Sequence, residues 1–191
     1  MGDIRTIIPP AKLIFGILVT SEQVRLECID RLVAEFGRLD HQSRVEPFTF
    51  TDYYCDEMGD TIYRQYLSAE RLIDMGELPA VKHRTNQLEV EMAKVDGIGR
   101  RRRQANIDPG YVTQSKLVLA TTKDYSHRIY VADGIFAEVT LCYRRPDGFQ
   151  AFPWSYPDYA RQEVYSFFNA VRDTYRRQLR DTDPSKTPNE T

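Results

Sequence analysis

Lys12 to Val19 reads KLIFGILV, an almost unbroken apolar run rich in β-branched residues. A segment with no polar face to turn to water suits a strand buried on both faces. An apolar stripe at helical spacing follows: Val24, Cys28, Ile29, Leu32, Val33 and Phe36. Thr20 and Gln23 stand ahead of it at capping-box spacing, and Gly37 is a natural stop. This β-then-α opening constrains the fold most, because the helix must bury its stripe against the sheet that holds the first strand.

The rest of the chain reads as follows. Residues 1–10 form a lead-in closed by Pro9 and Pro10. Val45 to Phe50 is a second strand, placed at a sheet edge by Pro47. Ile62 to Leu72 reads as a short helix. Asp74 and Glu77 have capping-box spacing ahead of a long amphipathic helix marked by Leu78, Val81, Leu88, Met92 and Val95. The helical excursion thus covers about residues 61–95. A flexible Arg-rich loop spans 96–104, including Arg100–Arg103. Asp108-Pro109-Gly110 has type II turn chemistry. Thr113 can cap a helical stretch to Ala120, although Leu117 to Leu119 would also serve as a strand.

Asp133-Gly134, between Arg128–Ala132 and Ile135–Tyr143, signals a two-residue hairpin. Pro146-Asp147-Gly148 turns the chain into Phe149–Phe152, giving a three-strand meander. The last helix carries Val164, Phe167, Phe168, Val171, Tyr175 and Leu179, with Arg172, Arg176, Arg177 and Arg180 on its polar side. Residues 181–191 read as a disordered tail. The expectation is an α+β fold in one domain over 11–180. Its sheet is mixed and mostly antiparallel, with helices packed on one face, a β-α-β opening, and a C-terminal meander plus helix.

Composition narrows the function. Apolar residues make up 41% and charged residues 28% of the 191, with a net charge of -2, which fits a soluble globular protein with no global pull towards nucleic acid or anionic membrane. The apolar run from Leu13 is too short to span a bilayer. Cys28, Cys55 and Cys142 are odd in number and far apart, which predicts neither a disulfide framework nor a zinc site and fits a reducing cytoplasm. The chain lacks a phosphate loop, a GxGxxG turn, a GxSxG elbow and an HExxH pair. No feature specifies an oligomeric state.

The candidate site lies in Asn106 to Tyr143, where charges of both signs interrupt a core-forming pattern. Asp108, His127 and Glu138 are the acid–base candidates. Asp52, Tyr53, Asn106, Lys116, Lys123 and Arg128 are the ligand-binding candidates, with the cations holding an anionic, phosphate-bearing ligand. Asp52, Asp56, Glu57 and Asp60 lack calcium-loop spacing. They read first as a solvated acidic loop that caps the following helix, and as the alternative could offer one or two oxygens to magnesium. A second reading is a non-catalytic interaction module whose surface is the long helix and the aromatic loop. Nucleic-acid binding through Arg100–Arg103 is disfavoured, since no aromatic residues interleave with the run.

Four stretches carry a resemblance: KLIFGILVTSE, FTDYYCDEMG, NIDPGYVTQSKLVLATTKDYSHRIYVADGIFAEVTL and WSYPDY. Together they resemble the uncharacterised prokaryotic family catalogued as domain of unknown function 4416. The likeness covers roughly residues 10–180. It implies no activity, ligand or catalytic residue that can be carried over. The GTP-binding label that some members carry finds no phosphate loop here.

Overall fold

The first strand, β1 (Ala11–Val19), is buried at all nine positions. The structure is a computed structural model describing Ile4 and residues 7–181. After β1 come α1 (Glu22–Phe36), β2 (Leu39–Gln42), β3 (Glu46–Pro47), the short α2 (Cys55–Met58) and β4 (Tyr63–Ile73). A 3-10 turn (Met75–Glu77) leads into α3 (Leu78–Met92), followed by β5 (Lys94–Val95) and β6 (Arg101–Arg102). The chain continues through β7 (Ala105–Val112), β8 (Lys116–Thr121), β9 (Ile129–Ala132), β10 (Ile135–Arg144), β11 (Gly148–Ala151) and α4 (Gln162–Asp181).

The main sheet runs β11-β10-β8-β7-β1-β4-β2, with β3 also on β4 and β9 also on β10. Every pairing in it is antiparallel. β1 and β2 therefore run the same way with β4 between them, so the β-α-β opening is a split one. The fold is α+β, as the order of elements implied.

Leu13, Phe15, Ile17 and Val19 project from one face of β1 into a core closed by Val24, Cys28, Leu32 and Phe36 of α1 and Val81, Leu88 and Met92 of α3. Ile14 projects the other way, into a core closed by Val164, Phe168 and Val171 of α4. Helices thus cover both faces, not one. Arg172, expected on the polar side of α4, is buried against the sheet. Its guanidinium sits 3.4 Å from the Tyr143 ring centroid, and its Nε donates to the Gln114 carbonyl at 2.7 Å.

Local signals at the ends of the helices held closely. Ser21, one residue after Thr20, caps α1 by accepting from the Val24 N–H, and Gly37 ends it with φ 87°. Asp74 and Glu77 form a reciprocal capping box at the 3-10 turn. Asp133 and Gly134 have φ 51° and 76°, the positive pair that a tight hairpin requires. Both expected hairpins form, and β9 and β11 lie along the same edge of β10, opposite β8.

Four expectations fail where pairing overrides local pattern. Residues 62–72 are not helical, because β1 is apolar on both faces and needs a partner along each edge; β4 supplies one along nearly its whole length. The strand expected over 45–50 shrinks to the pair Glu46–Pro47, while β2 forms just before it. The stretch capped by Thr113 is the strand β8. Asp108-Pro109-Gly110 is no turn but part of β7, the other neighbour of β1. Residues 1–3, 5, 6 and 182–191 lie outside the described residues, so most of the expected tail does too; Asp181 ends α4.

Cys28 faces the core under α1, and burial pushes its thiol up to about 12. At about pH 8 its thiolate fraction is on the order of one part in ten thousand. A thiol-counting reagent on the native protein is therefore expected to find at most Cys55 and Cys142. Rapid modification of all three thiols without denaturant would contradict this packing.

A cavity in the split between two strands

The site begins at Pro109. β7 pairs with β1 over Ala105–Val112, but with β8 only over Gly110–Val112. Proline offers no N–H to a second ladder, so β7 and β8 part there. Gly110 marks the last close approach, since a Cβ on it would lie 2.2 Å from the Val118 carbonyl oxygen. Beyond it Ile107 keeps Ile17 of β1 beside it but has no strand partner on the β8 side. Side chains of α3 replace one: the Ile107 N–H donates to Glu89 at 2.6 Å, and Lys82 Nζ donates to the Ile107 carbonyl at 2.9 Å. A cavity of about 160 Å3 occupies the gap.

Its floor is Arg64. On β4 Arg64 pairs across β1 with Leu18, and on the next row Gly16 lies between Tyr66 and Asp108. Arg64 Nη2 donates to Asp158 at 2.7 Å, and Asp158 also accepts from the Tyr66 hydroxyl at 3.1 Å. Phe48, Tyr66 and Tyr159 surround the guanidinium with ring centroids 5.2, 5.5 and 5.7 Å away. Burial is the largest influence on the Arg64 charge and opposes it, but Asp158, Tyr66, Tyr159 and Asp108 together outweigh it and raise the pKa. Burial also raises the Tyr159 phenol well above its usual range, so it stays an O–H donor.

Three buried polar atoms here have no hydrogen-bond partner among the described residues: Arg64 Nε, Arg64 Nη1 and the Tyr159 hydroxyl. Arg64 and Tyr159 both line the cavity. They close on the backbone of β1 because residue 16 is glycine. A Cβ there would stand 2.5 Å from the Tyr159 hydroxyl and 3.1 Å from Arg64 Nη1.

Asp108 stands at the side of this cup. It accepts from Asn106 at 2.7 Å and lies 3.8 Å from Arg64 Nη1 and 3.7 Å from Lys82 Nζ. Arg103, from the end of the Arg-rich segment, turns inward to pair with Glu89 and donates to Asn106 Oδ1 at 2.6 Å. Burial raises the Glu89 carboxyl even though Lys82 and Arg103 pull it down.

The far wall is Glu138 on β10. Arg128 Nε donates to it at 2.8 Å, His127 Nε2 approaches it at 3.2 Å and the Thr140 hydroxyl donates at 3.2 Å. Arg128 also donates to the Lys123 carbonyl and the Tyr156 hydroxyl. At the mouth, Lys123 Nζ lies 4.0 Å from the Tyr53 ring centroid and donates to its hydroxyl at 2.8 Å.

Of the residues singled out in the sequence, Tyr53, Asn106, Asp108, Lys123, Arg128 and Glu138 share this cavity wall. His127 stands behind it, held to Glu138 and stacked between Tyr125 and Trp154 at 6.1 Å each. Lys116 is at the opposite end of β8, roughly 17 Å from Thr121 at strand rise. Asp52 is exposed in the bend before α2 and does not line the cavity. Glu57, from the same acidic stretch, pairs with Arg103. Among the described residues, no group of three or more His, Cys, Asp or Glu side chains could hold a metal ion.

Arg64, Lys82, Asp158 and Tyr159 are not among the expected site residues, and Arg103 reads in the sequence only as part of the Arg-rich loop. One signal was available for Lys82. Leu78, Lys82, Thr85 and Glu89 recur at helical spacing, and a buried stripe with polar members needs polar partners. Arg64 had a weaker one: in a strand reading of 63–73 it shares a face with Tyr66 and Ser68.

Among the described residues, no helix is long and apolar enough to cross a membrane. No curated protein and no solved structure matches the chain. Over residues 9–175 it matches the family described as a domain of unknown function, DUF4416, and the chain belongs to that family.

Proposed function

We propose that the cavity between β7 and β8 binds a small anionic ligand carrying a phosphate group. The observation that supports this reading is the set of unpartnered donors on Arg64 and Tyr159 beside the bare backbone of Gly16. A buried polar group left unsatisfied costs about 1–3 kcal/mol. Donors kept at that cost at the edge of a cavity suit a site that receives ligand oxygens. Charge points the same way. On the wall itself Arg64, Lys82, Arg103, Lys123 and Arg128 face Asp108, Glu138 and Asp158; Arg103 is also paired with Glu89 and Glu57 behind the wall, and Lys123 at the mouth has no carboxylate partner among the described residues. A phosphate group, with several charged oxygens, can meet more than one of these cations at once.

Within this reading the acidic residues divide. Glu138 is saturated by Arg128, His127 and Thr140, and its role is to aim Arg128. Asp108 keeps 27% of its side chain exposed between two cations, which makes it the group placed to exchange a proton with a bound ligand.

The test is Gly16→Ala. Overpacking of this kind costs about 1–3 kcal/mol, so the variant should still fold. Inorganic phosphate at low ionic strength is expected to raise the melting temperature of the wild type and leave the variant unmoved. At a hundred times Kd the wild-type gain would be about 2.7 kcal/mol. Equal shifts in both proteins, or none in the wild type, would remove the reading.

A further inference from the structure

We infer, resting on the phosphate reading above, that the ligand is a phosphate ester of a small polyhydroxylated compound, and that a nucleotide is not. Three observations carry this beyond the anion cup.

The first is size. A cavity of about 160 Å3 falls below the ~300–1,000 Å3 of sites for drug-sized ligands. It has room for a phosphate and a short polyol, and a base with its ribose would have to extend out through the mouth.

The second is the chemistry of the walls above the cup. Asn86 on α3, Thr122 after β8 and Tyr54 before α2 line the cavity. The Asn86 amide, the Thr122 hydroxyl and the Tyr54 hydroxyl have no protein partner among the described residues. Thr51 and Thr121 each accept a backbone N–H through their hydroxyl oxygens, at 3.1 and 3.2 Å, which leaves their protons to donate. Amides and hydroxyls both give and accept hydrogen bonds. That is the complement of a run of ligand hydroxyls, which do the same.

The third is what the aromatic residues do. A nucleobase needs an open ring face. Tyr53 meets Tyr54 edge-on at 87°, Phe48 meets Tyr54 at 68°, and Lys123 covers the Tyr53 ring. These three rings close against one another and Tyr159 stacks on Phe168, which leaves Tyr156 alone on the wall, held to Arg128 through its hydroxyl; among the described residues no two rings face each other across the cavity to sandwich a base.

Titration calorimetry on the full chain tests this with inorganic phosphate, glycerol 3-phosphate, glucose 6-phosphate, adenosine 5′-monophosphate and unphosphorylated glucose. At least one polyol phosphate is expected to bind about ten-fold or more tighter than inorganic phosphate. Adenosine monophosphate should gain nothing over it, and glucose alone should not bind measurably. Asn86→Ala should erase most of the polyol increment while leaving inorganic phosphate affinity in place. Polyol esters that bind no tighter than inorganic phosphate, an Asn86→Ala variant that keeps the increment, or a preferred nucleotide would overturn the inference and leave the phosphate reading standing. Failure of inorganic phosphate itself would remove both.

Discussion

Replacing Arg64 with methionine is expected to abolish phosphate binding and to lower the stability of the protein by about 3–5 kcal/mol, the usual cost of removing one partner from a buried ion pair. For a chain of this length that is a fall in melting temperature of roughly 6–20 °C. The reasoning is local. Asp158 is 2% exposed and would keep the Tyr66 hydroxyl but lose its cation. Methionine fits the apolar ring cage of Phe48, Tyr66 and Tyr159, so the loss is one of charge more than of packing.

A second substitution separates stability from function. Adding Asp158→Asn removes the stranded carboxylate and should return most of the lost stability. It supplies no donor for the ligand, so phosphate binding should stay absent. Recovery of binding in the double variant would show that Arg64 acts through the fold alone.

Glu138→Gln is expected to move stability and affinity in opposite directions. Glu138 and the Arg128 side chain are 2% and 3% exposed. Burial works against the Arg128 charge, and its bond to Glu138 raises the pKa in spite of it. Glutamine leaves that cation uncompensated, which should cost about 3–5 kcal/mol in the free protein. The cavity wall, however, loses one of its three carboxylates. An arriving dianion then meets a more positive wall, and phosphate should bind on the order of ten-fold tighter, about 1.4 kcal/mol. Thermal melts and calorimetry on the same preparation check both signs. An affinity that falls together with stability would show that a neutral acceptor cannot aim Arg128 and that the wall's charge count does not set the affinity.

Half of the charged residues on the cavity wall could be read from the chain because their signal is local. Asn106, Asp108, Lys123, Arg128 and Glu138 interrupt an apolar pattern within one stretch, and charges inside a core-forming pattern need partners or a ligand. The other half depends on pairing between distant segments. Arg64 lies in a run whose length and composition suit a short helix as well as a strand, and only β1 decides between them. Pro109 followed by glycine has the chemistry of a turn. It becomes a strand position because β7 has one neighbour there instead of two. Arg103 looks like one member of a solvated run until Glu89 and Asn106 are found beside it. Lys116 shows the converse error. It shares a strand with Leu119 and Ala120 of the wall, but the strand carries it to the other end of the sheet.

Tyr159→Phe tests the central claim most directly, because it deletes one unpartnered oxygen and nothing else. Removing a buried hydroxyl that has no hydrogen bond should leave stability unchanged or slightly raised. If that hydroxyl waits for a ligand oxygen, calorimetric titration with inorganic phosphate should show affinity falling about ten-fold beside unchanged or higher stability. Wild-type affinity in the phenylalanine variant would contradict the account.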